Sequence, residues 1–230
     1  MGSAAPRDTT AFEVRDALRE PGCAVCRLTH RSVVRLLKSI AYEQVNDVDL
    51  RRQLRAAGGF CSAHAHLWAR EAHSVLGTAL IYRDVLHAAL DEIGVAAPNG
   101  QRDRWLRGWL GRTQDDHSCP ACQAQVQSEA RYVEALMASV AVDADSRTAL
   151  EASAGLCRRH TLAAIRSGRD GSECITQRAR QAVEALTADL DEVIRKEDYR
   201  FRHEPRSDSE RTAPARAIAW AAGTEGTVGQ

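Results

Sequence analysis

Apolar residues recur at helical spacing along almost the whole chain. Val33, Leu36, Leu37 and Ile40 form one such stripe, and Leu76, Leu80, Tyr82, Val85, Leu86 and Leu90 form another. Strand-type alternation is nearly absent. The periodicity predicts helices over 11–20, 25–43, 48–57, 62–93, 103–112, 121–140, 145–153, 158–167 and 172–197. Turn chemistry agrees with several of these boundaries. Pro21-Gly22 closes the first helix, and Gly58-Gly59 and Ala154-Gly155 stand before later ones. The expected fold class is therefore all-α. The long apolar stripe over 62–93 is either core or a surface for self-association or an unknown protein partner.

The organisation reads as two tandem helical repeats. Residues 1–10 are polar and expected to be disordered, 11–95 form repeat 1, 96–104 a linker, 105–198 repeat 2 and 199–230 a tail. Within the linker, Pro98 stops a helix and Asn99-Gly100 favours a turn. In the tail, Pro205, Pro214, Gly223, Gly226 and Gly229 predict loose order apart from a short Ala-rich helix around 215–222.

The candidate chemistry follows the same register. Cys23, Cys26, Cys61 and His64 each recur 96 positions later, as Cys119, Cys122, Cys157 and His160. Apolar positions keep the offset, with Leu37 opposite Val133, Ile40 opposite Leu136 and Leu54 opposite Leu150. The pre-ligand glycines, Gly59 and Gly155, match as well. Three thiolates and an imidazole complete a tetrahedral shell for zinc, so the reading is two Cys3His metal sites and two zinc ions per chain. An iron–sulfur cluster is the alternative cofactor.

Each C-x2-C and each C-x2-H falls at the start of a predicted helix, where backbone N–H groups favour thiolate. A helix of about 18 residues goes out some 27 Å, while the return helix over 48–57 recovers only about 15 Å. The expectation is a site within each repeat, with a loop or tilt making up the difference. The alternative is that the halves exchange ligands around a pseudo-twofold axis, so that Cys23 and Cys26 meet Cys157 and His160.

Composition narrows the setting. Lys plus Arg equals Asp plus Glu at 31 each, which leaves no overall field for a polyanion and disfavours nucleic acid as partner. No stretch reaches the roughly 18 apolar residues of a membrane span, and the first ten residues lack an apolar signal core. The expected location is the cytoplasm, where thiols stay reduced and clustered cysteines serve metals or catalysis. The seventh cysteine, Cys174, aligns with a leucine and reads as core. His30, one turn after Cys26 and within reach of the site, reads with His66 and His117 as solvated rather than liganding, and His73 and His87 have no paired carboxylate at a spacing suited to acid–base work. Phosphate-loop, dinucleotide, serine-hydrolase and zinc-protease motifs are missing, so the reading leans away from an enzyme without deciding it. The stretch from Ile194 to Arg202 alternates Tyr199 and Phe201 with Arg200 and Arg202. It is either an anion or partner strip or a solvated helix end with its aromatics folded back.

Together the segments Tyr42–Asp47, Gly59–His64, Cys119–Cys122, Gly155–His160 and Ile194–Arg202 resemble an uncharacterised bacterial domain-of-unknown-function family. That family carries duplicated CxxC...CxxH motifs and a C-terminal IRKxDYRFR stretch, and the resemblance covers about residues 20–205. It implies bacterial origin and a metal-binding helical fold, and it lends no activity. Pro214-Ala215-Arg216-Ala217 departs from the family's Trp before Arg-Ala. The functional expectation is a metal-binding, binding or regulatory module. A metalloenzyme or redox protein in a biosynthetic or stress pathway is the first alternative, and a thiol- or metal-responsive sensor the second.

Overall fold

A computed structural model describes residues 9–95 and 119–223. Among these residues the chain is all-α, with ten α-helices and no strand. They are α1 (Thr9–Leu18), α2 (Ala24–Ser39), α3 (Val48–Ala57), α4 (Ser62–Glu71), α5 (Val75–Val95), α6 (Pro120–Val142), α7 (Ala144–Ala152), α8 (Arg158–Arg166), α9 (Ser172–Glu197) and α10 (Asp208–Ala222). A π-helical turn, Ile40–Gln44, continues α2.

Several boundaries expected from periodicity coincide with these elements, because local capping sets them. Asp47 and Asp143 cap α3 and α7 by accepting from the backbone N–H of Leu50 and Ser146. Gly58, in the left-handed region, closes α3. The expected helix over 62–93 is in fact two. The chain breaks between Glu71 and Val75, where His73 takes φ 48°, and Ser74 Oγ accepts from the Gly77 N–H. On the core side Leu67, Trp68 and Ala72, ahead of α5, and Ile81 within it join one cluster, whereas Leu76, Leu86 and Leu90 of the expected stripe are exposed. The expected helix over 103–112 and the linker over 96–104 lie outside the described residues.

The chain forms two compact units, one of residues up to His30 together with Ser128 onward, the other Arg31–Gln127. These units do not follow the boundaries of the sequence repeats. The first has a core of Val14, Leu18, Val25, Leu28, Tyr132, Leu136, Met137, Val140, Leu150 and Ile175, against which Cys174 packs as a partly buried apolar residue. Arg15 on α1 approaches Asp143 and Asp145 at the start of α7. The second unit is built on Val33, Leu37, Ile40, Leu54, Phe60, Leu67, Trp68 and Ile81. Arg51 on α3 binds Asp84 on α5 at 2.6 Å, where the carboxylate is largely shielded.

The tail differs most from expectation. In place of a loose segment with a short helix, α10 runs over fifteen residues from a full capping box, Ser207 with Glu210. Pro214 inside it does not end it. The reason is tertiary: Lys196, 8% exposed near the end of α9, donates from Nζ to Glu210 at 2.7 Å and to the Pro205 carbonyl at 3.1 Å. Lys196 holds the Glu210 carboxyl below its ordinary value of 4.5, against burial, with the Ser207 backbone N–H helping. A lowered folded pKa means the pair stabilises above the ordinary glutamate value and loses that contribution as pH falls through the lowered one. Lys196→Met and acidification should therefore each release α10, read as lost hydrogen-exchange protection over Ser209–Ala222 with α9 still protected.

The basic-aromatic stretch is largely self-satisfied. Arg195 binds Glu192 and Glu204 and lies over the Phe201 ring at 4.8 Å, Arg200 pairs with Asp198, and Arg206 pairs with Glu197. Tyr199, 83% exposed, and Ile194, 70% exposed, project from it. Of the two arginines between the aromatics, Arg200 meets the Asp198 carboxylate and Arg202 the Glu197 backbone carbonyl.

Candidate metal centres

Local structure presents each cysteine and histidine in the same way. Cys61 and Cys157 are the N-cap residues of α4 and α8, with extended backbone at ψ 162° and 164°, and neither spends its side chain on a capping bond. Their sulfurs stay available. His64 and His160 follow in the first turn, three residues on and therefore on the same face. Gly59 at φ 101° and Gly155 at φ 81° make the sharp entry that a side-chain-bearing residue resists. Cys23 and Cys119 immediately precede α2 and α6, and Cys26 and Cys122 lie in the first turns of those helices.

All eight residues are buried, and they form two groups. Cys23, Cys26, Cys157 and His160 make one, and Cys61, His64, Cys119 and Cys122 the other. The exchanged arrangement thus replaces the expected pairing within each repeat. The helices decide it. From its start at Cys23, α2 carries the chain about 24 Å at roughly 1.5 Å per residue, and α3 is too short to bring Cys61 back. Each group lies wholly within one compact unit.

In the first group His160 Nδ1 lies 3.4 Å from Cys23 Sγ, 3.4 Å from Cys26 Sγ and 3.2 Å from Cys157 Sγ, and Cys26 and Cys157 are 3.6 Å apart. In the second, His64 Nδ1 lies 3.2, 3.3 and 3.8 Å from Cys61, Cys122 and Cys119, with Cys61 and Cys122 at 3.5 Å. No disulfide joins any of the described cysteines. A tetrahedral zinc with Zn–S of about 2.3 Å and Zn–N of about 2.05 Å has S···S edges of about 3.8 Å and S···N edges of about 3.6 Å. The donor sets fit one ion each.

Crowding like-charged ligands shifts their protonation. Hydrogen bonds with Cys157 and Cys26, then burial, push the Cys23 thiol well up. Burial lowers the His160 pKa, but Cys157, Cys26 and Glu129 outweigh it and hold the ring up at about 11. Burial raises Cys61 and Cys122. At Cys119 burial also raises, yet the His64 ring and the backbone N–H groups of Cys61 and Cys122 bring the thiol down to about 7. Three sulfurs around one ring nitrogen are a charge problem that a bound dication resolves.

Residues near the sites escaped the sequence reading. Glu129 lies 3.8 Å from His160 Nε2 and binds Arg159 at 2.5 Å. Its one signal was position, seven residues beyond Cys122 and so on the same helix face. Tyr82 is half-buried, its hydroxyl pKa pushed up by burial and by Cys119 and Cys61. None of His66, His73 and His87 belongs to either group, and all three are exposed. His30 is half-buried and also stands outside both, and His117 lies outside the described residues.

Fold and sites together define an all-helical protein with two buried Cys/His clusters able to bind metal. The chain is similar to an uncharacterised 23.9 kDa protein from the xynA 3' region of Caldicellulosiruptor sp. (strain Rt8B.4), 25% identical over 217 residues, covering 90% of this chain and 98% of that one. No family model and no solved structure matches it.

Proposed function

We propose that each cluster holds one zinc ion and that the protein is a zinc-stabilised binding or regulatory module. One observation carries the reading: in each group four soft donors converge within 4.8 Å, the spacing of ligands on a single ion. An iron–sulfur cluster spreads its ligands over several irons and needs a wider set. Four protein donors also leave no position for a substrate or water, which favours a structural over a catalytic ion. The free thiols suit a reducing compartment, and no described helix is long and apolar enough to cross a membrane. Exposed Leu86, Leu90 and Ile93 on α5 support a protein partner there, a second copy included.

Elemental analysis and an absorption spectrum of anaerobically purified protein test this, with two zinc per chain and no visible band expected. Iron with acid-labile sulfide would overturn it. Stoichiometry of variants checks the pairing as well. Cys26→Ser and Cys157→Ser should each lose one zinc, and the double variant should still retain one. Cys26→Ser with Cys61→Ser should lose both, whereas sites built within each repeat would retain one.

A further inference from the structure

His160 is flanked on both sides. Its Nδ1 faces three sulfurs, while its Nε2 is buried without a hydrogen-bond partner. The nearest charged group on that side is the Glu129 carboxylate, 10% exposed, with Oε1 at 3.8 Å. That is beyond hydrogen-bond reach, and a small side-chain rotation closes it. Glu129 is itself fixed, since Oε2 accepts from Arg159, the residue that precedes His160 on α8. A carboxylate behind a ligating imidazole sets the ring's orientation and its tautomer, with the proton on the far nitrogen and the lone pair toward the metal.

Among the described residues the other cluster shows no such support. In the 96-residue register Glu129 corresponds to Val33 and Arg159 to Ala63, so both members of the clamp are replaced by apolar residues. Val33 is buried in the core of its unit, and Ala63 packs against that core. Among the described residues the hydrogen bonds of His64 all run from Nδ1 to sulfur, and it forms no ion pair.

Resting on the zinc reading above, we propose that Glu129 is a positioning residue for His160 and that the two sites hold metal unequally. The Cys23, Cys26, Cys157 and His160 site is the retained one, and the Cys61, His64, Cys119 and Cys122 site is the exchangeable one. The chain then holds one ion tightly in one unit and exchanges the ion of the other more readily with the free zinc around it.

The test is zinc release from the full-length, zinc-loaded protein to the chelator 4-(2-pyridylazo)resorcinol, followed by colour. The wild type should release in two phases. Glu129→Ala should speed the slow phase by about 10- to 100-fold, the usual consequence of removing such a partner, and leave the fast phase unchanged. Glu129→Gln, which keeps the shape and an acceptor, should fall between them and carries the test if the alanine variant does not fold. Cys119→Ser with Cys122→Ser should abolish only the fast phase. Nitrogen-15 spectra of histidine-labelled protein should show a slowly exchanging His160 Nε2–H that Glu129→Ala loses, a signature that a packing role would not move. Two retained zinc ions with both phases unaltered in the Glu129 variants would overturn this proposal alone. A wild type that carries no zinc would overturn the zinc reading and this proposal with it.

Discussion

Stripping the proposed zinc from both sites at neutral pH should unfold most of the protein. Each compact unit places its Cys/His cluster among its core residues, with Cys23, Cys26 and Cys157 in one hydrophobic cluster and Cys61, Cys119 and Cys122 in the other. Without an ion these positions crowd thiols and a ring whose charges have no compensating dication. A structural zinc site contributes on the order of 10 kcal/mol to folding at neutral pH, as much as the whole net stability of an ordinary domain, about 5–15 kcal/mol. Far-UV circular dichroism and calorimetry before and after an excess of chelator should show the helical signal fall and the unfolding transition vanish, and added zinc should restore both. Retention of a cooperative transition by the metal-free chain would show that the cores stand on their own. The pH dependence has a definite sign. Zinc binds thiolate and neutral imidazole, so protons compete with it and affinity falls as pH falls. Cys119, brought down to about 7, loses its proton more readily than Cys23, Cys61 and Cys122, whose raised thiols give theirs up to solvent when metal enters. Zinc release on acidification should therefore be accompanied by proton uptake, measurable in weakly buffered solution.

Trp68→Ala should cost the Arg31–Gln127 unit about 3–5 kcal/mol, the usual range for deleting a large buried aromatic ring. Trp68 is 1% exposed, stacks on Phe60 at a centroid distance of 5.4 Å, and donates from Nε1 to Thr78 Oγ1 at 2.9 Å. It therefore ties α4, which carries His64, to α5 and to the residue before Cys61. Loss of the ring leaves a cavity behind the metal site. Denaturant unfolding monitored by hydrogen exchange should show the loss confined to this unit, with the core around Leu136 and Leu150 unaffected. Trp68→Phe should cost less, since a ring remains to stack on Phe60. A change below about 1 kcal/mol for the alanine variant would show that the site collapses around the gap.

Much of this molecule was legible in the chain because the determining forces are local. The α3 and α9 boundaries follow from Asp47, Gly58 and the glycine at 171, which act through their own backbone and nearest neighbours. The ligand identities are equally local, since a C-x2-C or C-x2-H at a helix start places both donors on one face whatever the rest of the chain does. The split between α4 and α5 was hidden because apolar residues recur on both sides of the bend at His73, buried as Leu67 and Trp68 on α4 but exposed as Leu76, Leu86 and Leu90 on α5. The helix α10 was hidden because its anchor, Lys196 on Glu210, joins residues fourteen positions apart through a burial that composition does not display. The basic stretch was left open between a ligand strip and a solvated helix end, because only side-chain geometry shows that Glu192 and Glu204 engage Arg195 and Asp198 engages Arg200.

The sequence by itself determined that this chain is helical, where most of its helices start, and which eight residues carry metal-ligand chemistry. Those properties depend on spacing within a turn or two. Which four residues share a site was decided by tertiary structure alone. A rigid helix transports its first-turn cysteines away from the C-x2-H of its own half, and the end it reaches depends on how the cores close around Leu37, Leu54, Leu136 and Leu150. The same closure brought Glu129 behind His160, a contact between positions 31 residues apart that no local pattern encodes.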